Sequence, residues 1–158
     1  MCIRDRFKES AVGELVQAVD RLAKARVGAL IVVEGELDVL EFCTDAGRPV
    51  DAALKMDTLV ALSVPHPANN AHDGAIVVRD FHIERTAVIC PLTEQPLDPR
   101  FGTRHRGAIG ISEETDALVL VVSEERGEVR IIHRGEISDP LDTQGVEEKI
   151  NELSLIHI

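Results

Sequence analysis

Gly28-Ala29-Leu30-Ile31-Val32-Val33 is the stretch whose reading decides the fold. A continuous apolar run of this length suits a strand covered on both faces. Just ahead of it, Val12, Leu15, Val16, Val19, Leu22 and Ala23 recur at helical spacing across Glu9 to Arg26. Charged residues fill the intervals, so that segment reads as an amphipathic helix lying on a core, closed by Gly28.

Further along, Leu37 to Cys43 reads as a second, shorter strand closed by an Asp45-Ala46-Gly47 turn. Ala52 to Ser63 reads as a helix stopped by Pro65 and Pro67. Ala75 to Val78 and Ile83 to Cys90 read as a strand pair around Arg79-Asp80-Phe81-His82. A loop with Pro91, Pro96 and Pro99 leads to Gly102, and Thr103 is a natural N-cap for a helix through about Ile111. Ala117 to Ser123 and Glu128 to His133 form a hairpin turned by Glu125-Arg126-Gly127, and Leu141 to Glu152 is a last helix. The sum is an α/β fold of the mixed α+β kind: a single domain with a central mixed β-sheet flanked by helices.

The two ends are set apart from this domain. Back-translated, Met1 to Arg6 and Leu153 to Ile158 are reverse complements of one another, as a transposase-inserted sequencing adapter leaves them. Residues 1–6 and 153–158 are therefore read as processing scars, and 7–152 as the domain. On this reading Met1 is not the true start, and the natural protein extends beyond both ends.

At 158 residues, 44 % apolar and 28 % charged, the chain is a globular one able to bury a real core. It has no run near the roughly 18 apolar residues that span a bilayer. Its net charge is −11, from 17 basic and 28 acidic residues. Setting the ends aside makes it one unit more negative, because they carry two Arg and one Asp. A field of that sign excludes non-specific nucleic-acid binding, though not a phosphate ligand where basic residues converge. Cys2 falls in the front scar, and the widely separated Cys43 and Cys90 read as thiols in a reducing cytoplasm.

Chemistry concentrates in three places. In His72-Asp73-Gly74-Ala75 a carboxylate stands beside a glycine, where backbone approaches a ligand closely and the Asp binds a cation or orients a hydroxyl. Gly102-Thr103-Arg104-His105-Arg106-Gly107 combines a helix N-terminus with two forked donors matched to phosphate oxygens. Residues two apart do not share a helical face, so only one of the two Arg meets a ligand fully. Ser123-Glu124-Glu125, at a strand end, offers acidic groups that hold a metal ion near phosphates. Each has a plainer reading: a turn capped by Asp73, a solvated helix start, a charged hairpin. Together they suit nucleotidyl or phosphoryl transfer.

In order and spacing these motifs resemble the bacterial diadenylate cyclase (DAC) domain family across roughly residues 12–137. Gly28 to Glu34 is similar to its buried early strand, His72-Asp73-Gly74-Ala75 to its Asp-Gly-Ala motif, and Gly102 to Arg106 to its Arg-His-Arg motif. Gly110-Ile111-Ser112-Glu113 with Thr115-Asp116-Ala117 continues the match, and Val121 to Glu125 resembles its Ser-Glu-Glu segment. The resemblance implies the DAC-domain fold and an enzyme that condenses two ATP into cyclic di-AMP, a second messenger, with release of two pyrophosphates. It also implies a head-to-head homodimer, each protomer bringing one ATP, and a divalent metal, Mn or Mg.

By the same resemblance Asp73, with the metal, positions or activates the ribose 3′-hydroxyl; Gly74 and Ala75 belong to that catalytic motif, and Gly74 also binds ATP by letting the backbone come close to the nucleotide. Thr103 and Arg104 bind phosphate, while His105 and Arg106 shape the pocket or reach the opposing nucleotide. Ser123 and Glu124 bind ATP, Glu125 joins Asp73 on the metal, and Cys90 stands where the family places a backbone contact to adenine. The match is most like the membrane-anchored subtype, which implies a cytoplasmic domain held at the inner face of a membrane. Val64-Pro65-His66-Pro67-Ala68-Asn69-Asn70-Ala71 departs from the family's aromatic and Pro-Asn-Thr-Pro-Leu, and Glu84-Arg85 interrupts a strand that is usually small and apolar. His66, His82 and His133 belong to no motif and read as surface or turn residues. Two other readings compete: an inactive module that binds ATP or cyclic di-AMP, and a metal-dependent phosphohydrolase built on His72 and Asp73, which lacks further ligands at metal spacing.

Overall fold

Side chains alternate across β1 (Ala29–Val33), with Ala29 and Ile31 entering one apolar layer and Leu30 and Val32 the other. This is the two-faced burial that a continuous apolar run predicts. In the computed structural model, residues 3–156 are described, with side chains for 9–153. Apart from Leu153, the side chains of the two end segments lie outside the described residues, as does Cys2.

Seven strands form one sheet in the order β2-β4-β3-β1-β5-β6-β7. Besides β1 they are β2 (Arg48–Ala53), β3 (Ala75–Arg79), β4 (His82–Val88), β5 (Leu118–Val122), β6 (Val129–His133) and β7 (Glu136–Ile137). β1 and β3 run parallel and every other pairing is antiparallel, so the sheet is mixed. Helices α1 (Ile3–Lys24), α2 (Met56–Ser63) and α4 (Thr143–Ile156) pack on one face. There Leu15, Val19, Leu22, Leu59 and Val146 meet Ile31, Ile76, Leu120 and Ile131. Helix α3 (Thr103–Glu114) covers the other face, where Ile109 and Ile111 join Val32, Val77, Val119 and Val121. Each large side chain buried in these layers contributes about 1.5–3 kcal/mol, which makes the two covered faces the main source of stability.

Several boundaries differ from the sequence reading. Leu37 to Cys43 is not a strand; it holds a short 3₁₀ turn, Val39–Phe42. The Asp116 carboxylate accepts from the amides of Glu36 (2.8 Å) and Leu37 (3.1 Å), and Asp38 caps Leu40 (3.0 Å). These bonds use the donors a ladder would need, and Val39 is the turn's one buried side chain. Arg48 to Ala53 forms an edge strand that apolar patterning does not announce, and it takes Ala52 and Ala53 from the expected helix. Thr103 is the first residue of α3; Gly102 holds the cap position.

Gly28 does not end α1. Arg26 does so in a left-handed conformation (φ 55°), with Val27 N–H bonded to the Leu22 carbonyl at 2.9 Å and Arg26 N–H to that of Ala23 at 3.1 Å. This is the double bond pattern of a helix C-terminal cap. His133 lies half-buried on β6, and His82 on β4 faces Asp51 at 2.6 Å, so neither is a turn residue.

Candidate active site

The ends of β1, β3 and β5 nearest the α3 N-terminus frame one cavity of about 580 Å³. That volume is in the range of small-molecule sites. Its wall contains Asp73 and Gly74 before β3, Cys90 after β4, Gly102 to His105 at the start of α3, and Ser123 to Glu125 after β5. Stretches of chain as far apart as Asp73 and Glu125 thus face one space. Two predicted residues are not on this wall. Ala75 is fully buried in the sheet, and Arg106 is half-buried with its carbonyl held by Thr93 N–H at 3.1 Å.

Each segment has a local reason for its position. Gly74 sits at φ 110°, and a side-chain carbon there would meet the Ala87 carbonyl carbon and the Val88 oxygen at 2.8 Å. The glycine is thus required first by the approach of β4 and only then by any ligand. Neighbouring His72 places one ring nitrogen on the Asn69 carbonyl and the other 3.2 Å from the Asp73 carboxylate. Asp73 is four-fifths exposed and lines the cavity. Asn69 ties the divergent loop to the end of α2, donating to Val64 O (2.7 Å) and Ala61 O (3.1 Å). None of residues 64–71 lines the cavity.

At the other wall, Gly102 lets the chain enter α3 and leaves the first amides of the helix without intrahelical acceptors, a setting that favours anions. The Arg104 guanidinium lies against Gly28 and 3.8 Å from Glu124. The turn after β5 is closed by Ser123 N–H to Glu128 O (2.9 Å) and Gly127 N–H to Ser123 O (2.9 Å). Arg26 holds the Glu125 carbonyl at 2.8 Å. Sequence reasoning missed both Gly28 and Arg26 as supports of the site, because each contact joins residues far apart in the chain.

His105 is buried against Phe101, with ring centres 5.0 Å apart. Burial, reinforced by the nearby charge of Arg130, pushes its pKa down to about 4, so the imidazole is neutral at pH 7. It shapes the wall and brings no charge to it. Leu30, Val88, Cys90, Gly107 and Val122 make the apolar side of the cavity, suited to a flat base. Cys43 Sγ donates to the Val39 carbonyl at 3.1 Å; the neighbouring Cys90 thiol lowers the pKa of Cys43, and the same neighbour together with burial raises that of Cys90.

Oxygen donors for a hard cation are present in Asp73 and Glu125 on the cavity wall. Among the described residues no three His, Cys, Asp or Glu side chains gather as a ready-made metal site. That set fits a hard divalent cation that keeps several waters, and not one caged by protein.

Comparison with known proteins agrees with this geometry. Residues 16–137 match the family model described as DisA bacterial checkpoint controller nucleotide-binding (DAC). A diadenylate cyclase, CdaS, of Bacillus thuringiensis is 46 % identical over 114 residues, 72 % of this chain and 55 % of that protein. The cyclic di-AMP synthase CdaA of Bacillus subtilis is 31 % identical over 144 residues, 90 % of this chain and 52 % of that one. The chain thus spans about half the length of these relatives. A double mutant of DacA from Staphylococcus aureus superposes with a TM-score of 0.84 at 32 % identity, covering 92 % of this chain and 95 % of the other. With the mixed sheet, the shared cavity and the matched motifs all in place, the chain belongs to the DAC-domain family.

Proposed function

We propose that the protein is a diadenylate cyclase, joining two ATP into cyclic di-AMP and releasing two pyrophosphates. The observation that carries this is the single cavity in which Asp73, the start of α3 with Thr103 and Arg104, and Ser123 to Glu125 meet. The related synthases of Bacillus support the same reading. ATP enters with its base on the apolar wall beside Cys90 and its phosphates toward the α3 amides, Thr103, Arg104 and Ser123. Asp73 holds the ribose 3′-hydroxyl and takes its proton as that oxygen attacks the α-phosphorus of a second ATP. The bond to the bridging oxygen breaks, and pyrophosphate leaves. A second, symmetric transfer closes the ring.

Asp73 and Glu125, with Glu124 beside them, would hold a divalent cation, which supplies charge neutralisation on the phosphates. One cavity takes one nucleotide, so both transfers need a second copy facing the first, and a head-to-head homodimer is part of the proposal. Anchoring at a membrane face is supported by likeness to a Bacillus cereus protein described as a hypothetical membrane spanning protein (TM-score 0.74, 40 % identity), and a cytoplasmic location of the domain is part of the proposal. Among the described residues no helix is long and apolar enough to cross a membrane. The inactive-module reading drew on the divergent 64–71 loop, and that loop stays off the cavity wall.

The test is incubation of the purified protein with ATP and Mn²⁺ or Mg²⁺, with cyclic di-AMP followed by mass spectrometry. Product from the wild type, and none from Asp73→Asn at preserved ATP affinity, is the expected result. Strong turnover by Asp73→Asn would remove its assigned role, and ATP binding without product from a dimeric wild type would favour the inactive module.

A further inference from the structure

The cavity wall carries a second arginine that no motif includes. Arg100 precedes α3, and with Arg104 it lines the same space, whereas Arg106 does not. Its side chain is held by two independent contacts. The guanidinium carbon lies 4.9 Å over the Phe101 ring, and Nε is 3.7 Å from the Asp98 carboxylate. The other Asp98 oxygen accepts the Arg100 amide at 3.0 Å, which closes the local turn. Phe101 is itself braced by the His105 ring and by Arg130, whose guanidinium carbon is 5.1 Å from the ring centre. Arg130 is buried and bonded to the Ser138 carbonyl at 2.9 Å. The platform under Arg100 is therefore anchored in the sheet.

Charge gives this placement its use. The wall presents three carboxylates, Asp73, Glu124 and Glu125, and its His105 is neutral at pH 7. Arg104 shares its charge with Glu124 at 3.8 Å. Without Arg100, a single partly neutralised arginine would face both the carboxylates and a triphosphate of about −3 to −4. A planar guanidinium stacked on a ring keeps its outer donors free for phosphate oxygens.

We propose that Arg100 is a second phosphate-binding residue of this cavity, gripping the phosphate chain of the nucleotide from the wall ahead of α3. This rests on the reading of the cavity as an ATP site. Arg100 exchanges its long contact with Asp98 for shorter bonds to phosphate when the nucleotide binds. Because nearly half of its side chain is exposed, replacing it leaves the core untouched.

The experiment compares wild type, Arg100→Ala and Arg100→Lys by calorimetric titration with ATP and with adenosine, beside the cyclic di-AMP assay and thermal unfolding. Arg100→Ala is expected to weaken ATP binding about tenfold and to leave adenosine binding and the unfolding midpoint unchanged. Arg100→Lys, which keeps the charge and loses the fork, falls between. Unchanged ATP affinity in Arg100→Ala, with the wild type making product, overturns the inference and leaves the cyclase reading standing. Equal losses for ATP and adenosine place Arg100 on the base or ribose, which also overturns it. A dimeric wild type that makes no product while Arg100→Ala loses ATP selectively upholds the inference and sinks the cyclase reading.

Discussion

The guanidinium of Arg104 occupies the space that a side chain on Gly28 would fill: a β-carbon built there comes 2.7 Å from the guanidinium carbon. The two residues come from opposite sides of the sheet's front edge, one between α1 and β1, the other in the first turn of α3. Gly28→Ala should therefore push Arg104 off the cavity wall, because the far end of a flexible side chain yields before the backbone does. We expect ATP affinity about tenfold weaker, a loss similar to that of Arg104→Ala, at a near wild-type unfolding midpoint. In a double-mutant cycle, Gly28→Ala added to Arg104→Ala should cost no further affinity. A full additive loss would show that Gly28 acts by another route.

Gly74→Ala tests a different kind of glycine. Its φ of 110° and the β4 backbone 2.8 Å from an added carbon leave nothing flexible to give way. Destabilisation of about 1–3 kcal/mol is expected, read as a lower urea midpoint with an unchanged slope. A midpoint like that of the wild type would mean that the strand can part there without cost.

His105 gives the fold a pH dependence of predictable sign. Its folded pKa of about 4 lies below the ordinary histidine value, so as pH falls the unfolded chain takes the proton first. Its contribution is level above about pH 6.5, then falls between about 6.5 and 4, by at most about 3 kcal/mol. Urea midpoints across that range should fall more steeply for the wild type than for His105→Gln. Parallel curves would show that the imidazole is protonated without penalty in the native state.

The two cysteines should react at different rates. Cys43 is half-buried and the neighbouring Cys90 thiol lowers its pKa below the ordinary cysteine value, while Cys90 is buried and resists ionisation. Alkylation by iodoacetamide, followed by peptide mass mapping, should modify Cys43 first, and Cys43→Ser should remove the fast phase. Faster labelling of Cys90 would contradict this order.

What could be read from the sequence follows from how burial marks a chain. Strands β1 and β5 are covered on both faces, and α1 on one, so their patterns were plain in Ala29 to Val33, Leu118 to Val122 and the Val12 to Leu22 spacing. Strand β2 lies at an edge, with polar groups at Arg48 and Asp51 and mostly exposed side chains, and carries no such signal. The stretch around Val39 carries an apolar pattern without forming a strand, because nearby amides bond to carboxylates as distant as Asp116. The motif residues were legible through family likeness, since each alone passes for an ordinary turn or helix start. Gly28 and Arg100 were not, because their roles depend on a guanidinium's path and an aromatic platform, which no local pattern encodes.

Helices α1 and α4 both pack on the face of the sheet away from α3, whose first turn forms part of the cavity wall. A segment fused beyond either helix is thereby carried on the side of the sheet opposite α3, leaving the cavity side to the second copy that the proposed dimer requires. On the proposed cyclase reading the fold works as an interchangeable cassette: anchors or sensors mounted behind the sheet need only control how often two copies meet.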